Sequence, residues 1–446
     1  MPSSASSNLV NRLSTIIVNI CRFVLAVTLI LSGFVKAIDP LGTQYKIQDY
    51  LAALSLQGIL PDWCALCISV ALSALEFTLG ILLLFAIHRR TVTKIIVAFM
   101  AVMTLVTLWI WIANPVSDCG CFGDALVLTN GQTFAKNIIL LAAAIVVCRK
   151  PLKMVRFISK TNQWIVINYT LLFIILCSIW CLYDLPIFDF RPYKVGTDIA
   201  KGMEIPEGEK EPQFETTFIL EKDGQRKEFT LENYPDSTWT FIDSKTVQTE
   251  EGYVPPIHDF SIENLEGDII TDTVLAFKGY TFLLISPYLE QASDSDFGEI
   301  DQIYEYCQDN GYPFYCLTSS GEKGMERWRE LTGAEYPFFI TDAVTLKTII
   351  RSNPGLLLMK EGKVVRKWSH NRLPDATTWN KRLEQMAVGQ TPSDSTASKV
   401  AIILMWFVLP LAILTLADRI WATIKWRWNK KKNKKKEKST TITNHS

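Results

Sequence analysis

The chain has 446 residues, of which 49% are hydrophobic, and its 45 Lys/Arg balance its 45 Asp/Glu. That is too apolar for an ordinary soluble protein of this length, and no nucleic-acid partner is expected of a chain without net positive charge. The neutral total hides an asymmetry: residues 183–398 carry 37 Asp/Glu against 21 Lys/Arg, a net −16, whereas residues 419–438 carry ten Lys/Arg and one Glu, a net +9.

In chain order, the apolar residues gather into blocks near the length that spans a bilayer core. Six occur, at Ser14–Ile38, Trp63–Ile87, Val92–Ala113, Asn137–Val147, Trp164–Leu182 and Val400–Ala417. The fourth is short and needs flanking residues, from Thr133 to Cys148. The first is longer than a signal-peptide core and has no small-residue cleavage site, so it is expected to be retained. Residues 1–150 therefore predict a four-helix membrane bundle, and residues 151–182 a loop with a fifth span. His88-Arg89-Arg90 with Lys94, the group Arg149, Lys150, Lys153, Arg156 and Lys160, and the Lys-rich tail 419–446 all fall on one side of such a bundle. The positive-inside rule then predicts cytoplasmic termini at a cell inner membrane, with residues 183–398 periplasmic. The tail reads as an anchor that also meets anionic lipid of the bilayer.

Residues 183–252 are polar, with strand-like runs at Thr216–Leu220 and Trp239–Ile242, and read as a small β-rich linker domain. After Pro255-Pro256 the pattern changes. Over residues 253–388 it predicts strand Tyr280–Ile285, helix Asp296–Asn310, strand Phe314–Leu317, helix Gly324–Leu331 and strand Pro337–Ile340. A hairpin of Leu356–Met359 and Val364–Trp368 and a closing helix Thr377–Met386 complete an α/β sandwich. Residues 389–398 are a linker, and the sixth span occupies 399–418. This order resembles the thioredoxin fold, in its TlpA or peroxiredoxin-like branch. Ile257-His258-Asp259-Phe260 corresponds to that branch's opening strand, and Asn353-Pro354 to its cis-proline. Where the branch carries Cys-x-x-Cys at a helix N-terminus, this chain reads Ser286-Pro287-Tyr288-Leu289. The domain is thus not expected to be a redox catalyst by itself, but a platform docking a partner at Asn353 and Pro354. Cys307 and Cys316 are expected to be buried packing residues.

Six of the ten cysteines fall on the outer side of this topology, in three close pairs: Cys64 and Cys67, Cys119 and Cys121, Cys177 and Cys181. Cys119-Gly120-Cys121 is the sharpest signal. A disulfide there closes a tight ring, for which glycine supplies backbone freedom and whose strain favours reduction. Two small cysteines lining a tight turn is the plain alternative. A metal site is disfavoured, because no His lies nearby and thiolate ligands come as sets of four. Cys64 and Cys67, three apart, share one helix face and suit either a disulfide or a resting dithiol. Two charges, Glu76 and Arg22, lie inside the spans; they are expected to pair, or Glu76 to accept a proton during thiol or quinone chemistry.

Residues 14–150 resemble the MauE/DoxX group of redox-associated bacterial membrane proteins. The resemblance rests on Arg22, Ser32-Gly33-Phe34-Val35-Lys36 with Asp39-Pro40, Glu76, and Cys119-Gly120-Cys121-Phe122-Gly123. Joined to an outer thioredoxin-like domain, it is similar to an architecture of Bacteroidetes-type envelope proteins. The resemblance implies delivery of disulfide equivalents to an envelope client or redox partner protein, with Cys119 and Cys121 as the primary pair and Cys64 and Cys67 as a relay. A quinone is the conceivable cofactor, by analogy with other disulfide-forming membrane enzymes. The rival reading is a non-catalytic envelope scaffold. A transporter fits less well, since polar residues within the spans are few.

Overall fold

The computed structural model describes residues 4–56, 58–116, 120–210, 213–222, 225–230, 240–250, 252–392 and 396–443. Six of its helices are long and apolar enough to cross a membrane. The chain divides into two compact units, Met1–Arg191 with Ser393–Ser446, and Pro192–Pro392.

The first unit is helical. It contains α1 (Ser4–Ile38), α2 (Pro40–Ala53), α3 (Asp62–Leu84), α4 (Arg89–Ala113), α5 (Asn130–Arg149), α6 (Gln163–Tyr183) and the C-terminal helix Thr396–Thr443. Leu25, Leu29, Phe77, Leu83, Ile96, Leu140 and Ile174 form its buried core. The fourth span is not short. Thr129 accepts from the Gln132 N–H at 3.3 Å while Gln132 accepts from the Thr129 N–H at 3.2 Å, a capping box that starts α5 at Asn130, well before the apolar run. Between the first two spans, residues 40–53 are also helical. Asp39 accepts from Gly42 N–H at 3.0 Å with Pro40 in the first turn, and this cap opens α2. The C-terminal helix packs Phe407 between Phe77 and Phe173, at ring separations of 5.2 and 4.4 Å. It runs on without a break into the Lys-rich tail, which is therefore helical as far as Thr443.

The second unit holds two sheets. β1 (Gln213–Lys222), β2 (Gln225–Thr230) and β3 (Thr240–Glu250) form an antiparallel sheet in the order β2-β1-β3. A short helix, α7 (Ile199–Met203), precedes it, and α8 (Thr271–Leu275) follows. The larger sheet has β4 (Tyr280–Ser286), β5 (Phe314–Thr318), β6 (Phe338–Ile340), β7 (Gly355–Lys360) and β8 (Lys363–Ser369), in the order β6-β5-β4-β7-β8. β4, β5 and β6 are parallel and β7 and β8 antiparallel, with α9 (Phe297–Asn310) and α10 (Glu322–Thr332) as the crossovers and α11 (Ala343–Ile349) before β7. All seven residues of β4 are buried, as a strand covered on both faces requires. Glu361 and Gly362, both at positive φ, make the tight β7–β8 turn. This is the mixed α/β arrangement that the sequence pattern predicts, and the Asn353-Pro354 bond is cis.

Two expected elements are absent. Residues 257–260 are not a strand, and the edge beyond β5 is taken by β6. The closing helix over Thr377–Met386 is replaced by separate 3-10 turns at Ala376–Thr378, Leu383–Gln385 and Ala387–Gly389. Tyrosine hydroxyls take the backbone groups that a helix would have paired. Tyr306 donates to Lys381 O at 2.6 Å and Tyr312 accepts from Leu383 N–H at 3.2 Å, and just beyond the segment Tyr280 donates to Gly389 O at 2.9 Å. Trp379, half-buried, stacks on Phe282 and Leu383 is fully buried, so packing of these two side chains outweighs helix propensity here.

Cys307 on α9 and Cys316 on β5 are wholly buried, and burial pushes both thiols well above the ordinary value of 9.0. Both are expected to resist maleimide in the folded protein at pH 9 and to react only on unfolding, which mass spectrometry of labelled peptides would read. The unfolded chain loses its thiol protons first, so stability of this unit falls as pH rises through the ordinary thiol value.

Candidate functional site: a buried ion pair beneath the Cys-Gly-Cys loop

The site is made by the close approach of α1 and α3. A Cβ on Gly33 would lie 2.4 Å from Phe77 N and 2.8 Å from Ser73 O, so only glycine lets the two backbones meet there. Ser32 and Lys36, one turn apart on α1, then face α3. Lys36 Nζ lies 2.7 Å from Glu76 Oε1, with the two side chains 5% and 2% exposed. Ser32 Oγ is 2.7 Å from Glu76 Oε2 and 2.8 Å from the carbonyl oxygen of Cys121, and Lys36 also donates to it at 3.3 Å. A hydroxyl has one proton, so Ser32 serves one of its two acceptors at a time.

The loop bearing Cys121 is seated on this network. Cys121 is buried. Gly120 (φ 60°) and Gly123 (φ 51°) turn the chain through left-handed conformations, and Gly123 N–H closes on Gly120 O at 3.0 Å. An added Cβ would meet Lys46 of α2 at 3.1 Å from Gly120 and Val35 of α1 at 3.3 Å from Gly123. Lys136 stands 4.4 Å above the Phe122 ring. Cys119 lies outside the described residues.

Glu76 and Arg22 do not pair. Arg22 Nε donates to Leu83 O at 3.0 Å and Nη1 to Val155 O at 2.9 Å, while Nη2 reaches Leu84 O. It caps the C-terminal end of α3, where free carbonyls attract a cation, and Glu76 lies two turns earlier in that helix. The partner of Glu76 is Lys36, which with Ser32 belongs to the Ser-Gly-Phe-Val-Lys run but was not expected to form the site. A second charge and a hydroxyl at a four-residue spacing inside an apolar span are the signal that points to them.

The remaining cysteines stand outside this network. Cys64 and Cys67 lie in the first turns of α3 as free thiols, half-buried and exposed. On α6, Cys177 is half-buried and Cys181 buried, both free thiols, and Cys21 and Cys148 are half-buried.

In the second unit, the segment in place of Cys-x-x-Cys departs in geometry as well as in sulfur. Ser286 ends β4, a single 3-10 turn occupies Leu289–Gln291, and α9 begins only at Phe297, so no α-helix starts at Pro287-Tyr288-Leu289. Ser286 Oγ donates to Asn353 Oδ1 at 2.7 Å and Asn353 Nδ2 to Tyr288 O at 2.9 Å. Beside Pro354 is a histidine not singled out by sequence. His370 Nδ1 is 2.9 Å from Ser352 Oγ, whose own proton goes to Pro354 O at 2.5 Å. Nδ1 is then the donor, and burial lowers the pKa of His370 below 6.5, leaving it neutral at pH 7.

No curated protein matches the chain. Among solved structures, the solution structure of a candidate protein disulfide isomerase from Bacteroides thetaiotaomicron is 18% identical over 26% of this chain and 76% of that one, at a TM-score of 0.22. Residues 214–251 match a domain of unknown function, DUF8463. Residues 14–149, which hold Ser32, Lys36, Glu76, Cys64, Cys67 and the Cys-Gly-Cys loop, match the family described as methylamine utilisation protein MauE.

Proposed function

We propose that this multi-pass membrane protein is a thiol–disulfide redox protein in which Cys119 and Cys121 are the working pair. The carrying observation is the hydrogen bond of Ser32 to the Cys121 carbonyl, which ties the motif to a buried ion pair. Buried charges in a membrane bundle are costly, and one that supports a dithiol loop has a reason to persist. In the oxidising direction, a client thiolate attacks one sulfur of the Cys119–Cys121 disulfide and expels the other as thiolate. The client's second thiolate then resolves the mixed disulfide. Two electrons pass from the client dithiol to the pair, and the client leaves as a disulfide. Cys64 and Cys67 are the proposed relay: in their disulfide form they take those two electrons from the Cys119/Cys121 dithiol by the same exchange, the Cys64–Cys67 bond breaking as the Cys119–Cys121 bond re-forms. The same steps in reverse deliver reducing equivalents. Partners are proposed to dock on the second unit near Asn353, Pro354 and His370.

The proposed setting is a cell inner membrane, with both termini cytoplasmic and residues 183–398 periplasmic. Arg22, Arg89, Lys150, Lys153, Arg156 and Arg419 all belong to the end of the helical unit away from the Cys121 loop, which supports this orientation. The departure at Ser286–Leu289 favours one rival, a scaffold that binds a partner without catalysis. Maleimide-PEG labelling of intact cells, with and without prior reduction, separates the two. A reduction-dependent gel shift that vanishes in Cys119→Ser/Cys121→Ser is expected. Thiols at 119 and 121 that are permanently free or never reactive would leave the scaffold.

A further inference from the structure

The end of the helical unit opposite the cysteine loop collects guanidinium groups around the segment 150–157. Arg89 Nη1 donates to Leu152 O at 3.1 Å and Met154 O at 2.8 Å, Arg22 Nη1 to Val155 O at 2.9 Å, and Arg419 Nε to Phe157 O at 3.2 Å. Arg90 and Arg156 are charged neighbours of Arg89, and Arg89 of Arg22. Among the described residues no carboxylate pairs with Arg22, Arg89, Arg90 or Arg156. Asp418, at this same end, is engaged by Ser159 N–H at 2.7 Å, Ser159 Oγ at 2.5 Å and Asn162 Nδ2 at 2.7 Å. The Nε–H groups of Arg89 and Arg156 are buried with no acceptor.

Like charges gathered this closely repel, and a buried donor without an acceptor costs free energy. Backbone carbonyls offset part of this with partial charges. A compact anion whose oxygens match guanidinium forks would offset the rest, and phosphate has that shape. The surroundings say what carries the phosphate. Leu152, Val155 and Phe157 are exposed beside the cluster. A shallow groove on α1 is lined by Thr15, Ile16, Asn19, Ile20, Phe23 and Val24. Asn19 joins groove to cluster: its Oδ1 accepts from Arg22 at 3.2 Å and its Nδ2 donates to Lys153 O at 3.3 Å. A phosphate with an apolar chain attached fits both parts.

We propose that Arg89, Arg90 and Arg156 form a site for the phosphate of an anionic phospholipid whose acyl chain lies along the α1 groove. Full-length protein extracted from a mixture of phosphatidylcholine and phosphatidylglycerol, then examined by native mass spectrometry, tests it. Preferential retention of phosphatidylglycerol is expected, and Arg90→Gln/Arg156→Gln is expected to reduce the preference on the order of tenfold. The Lys-rich tail is unchanged in that variant, so its own attraction for anionic lipid does not confound the comparison. Arg90→Lys/Arg156→Lys, which keeps charge but not the fork, is expected to retain part of the preference and guards against loss of fold. Equal retention of both lipids, or an unchanged preference in the Gln variant, would overturn the site. Thermal-shift titration of the wild type with inorganic phosphate and with short-chain phosphatidylglycerol separates the sources. Stabilisation by inorganic phosphate equal to that by the lipid would overturn the lipid assignment.

Discussion

Glu76→Ala is expected to destabilise the helical unit by about 3–5 kcal/mol, the cost of removing one partner of a buried ion pair and leaving the other charged in a low-dielectric site. Neither side chain is screened by water, since Lys36 and Glu76 are 5% and 2% exposed. Removing both charges is expected to behave differently. Lys36→Met/Glu76→Leu should recover most of the loss, because apolar replacements of similar volume need no desolvation. Thermal unfolding in detergent, followed by circular dichroism, measures both variants. Equal loss in the single and double variants would mean that shape, not charge, is what Glu76 contributes. If the pair serves the loop, the double variant folds but the redox-dependent gel shift at Cys119 and Cys121 is altered.

The second large effect comes from a single methyl group. Gly33→Ala places a Cβ within 2.8 Å of Phe77 N, Phe77 Cα and Ser73 O. All three are backbone atoms of α3, so no side chain can swing aside and α1 itself must move. Overpacking of this kind costs about 1–3 kcal/mol. Ser32 adjoins Gly33 and Lys36 follows one turn later, so both are carried away from Glu76 and from the Cys121 carbonyl. Lower thermal stability and faster maleimide labelling of reduced Cys121 are expected together. Gly298→Ala is the control: it meets nothing within 4 Å and is expected to be silent. Similar behaviour of the two variants would remove the case for helix approach as the determinant of the site.

Much of this architecture was legible in the chain. Apolar runs of bilayer length have few other fates, and α3, α4 and α6 begin and end close to them, while α1 begins earlier, at Ser4, and the C-terminal helix runs on to Thr443. The start of α5, at Asn130, is set by a local capping box whose signal, Thr129 and Gln132, is readable. The same holds for Asp39-Pro40 at α2. The identity of the partner of Glu76 was not legible. Arg22 and Lys36 both lie on α1, and which of them meets Glu76 depends on the vertical register of α1 against α3, fixed by Gly33 and Gly80. The closing helix of the second unit failed for a related reason. Tyr306 and Tyr312 are remote in sequence from the segment whose backbone they satisfy, so no local pattern foretells the substitution. The Cys-Gly-Cys motif was evident at once, whereas its seat on Ser32 required the fold.

Because one hydroxyl proton is shared between Glu76 and the Cys121 carbonyl, the two acceptors compete for it. A displacement of the loop that weakens the second bond hands the proton wholly to the carboxylate, and so strengthens the Ser32–Glu76 bond. By thermodynamic reciprocity, whatever alters the carboxylate must alter the conformational preference of the loop by the same free energy. Ser32 is thus a toggle between an electrostatic state within the bundle and the geometry of the cysteine loop. A Ser32→Ala protein would keep the two ends of that coupling but lose the hydroxyl that joins them.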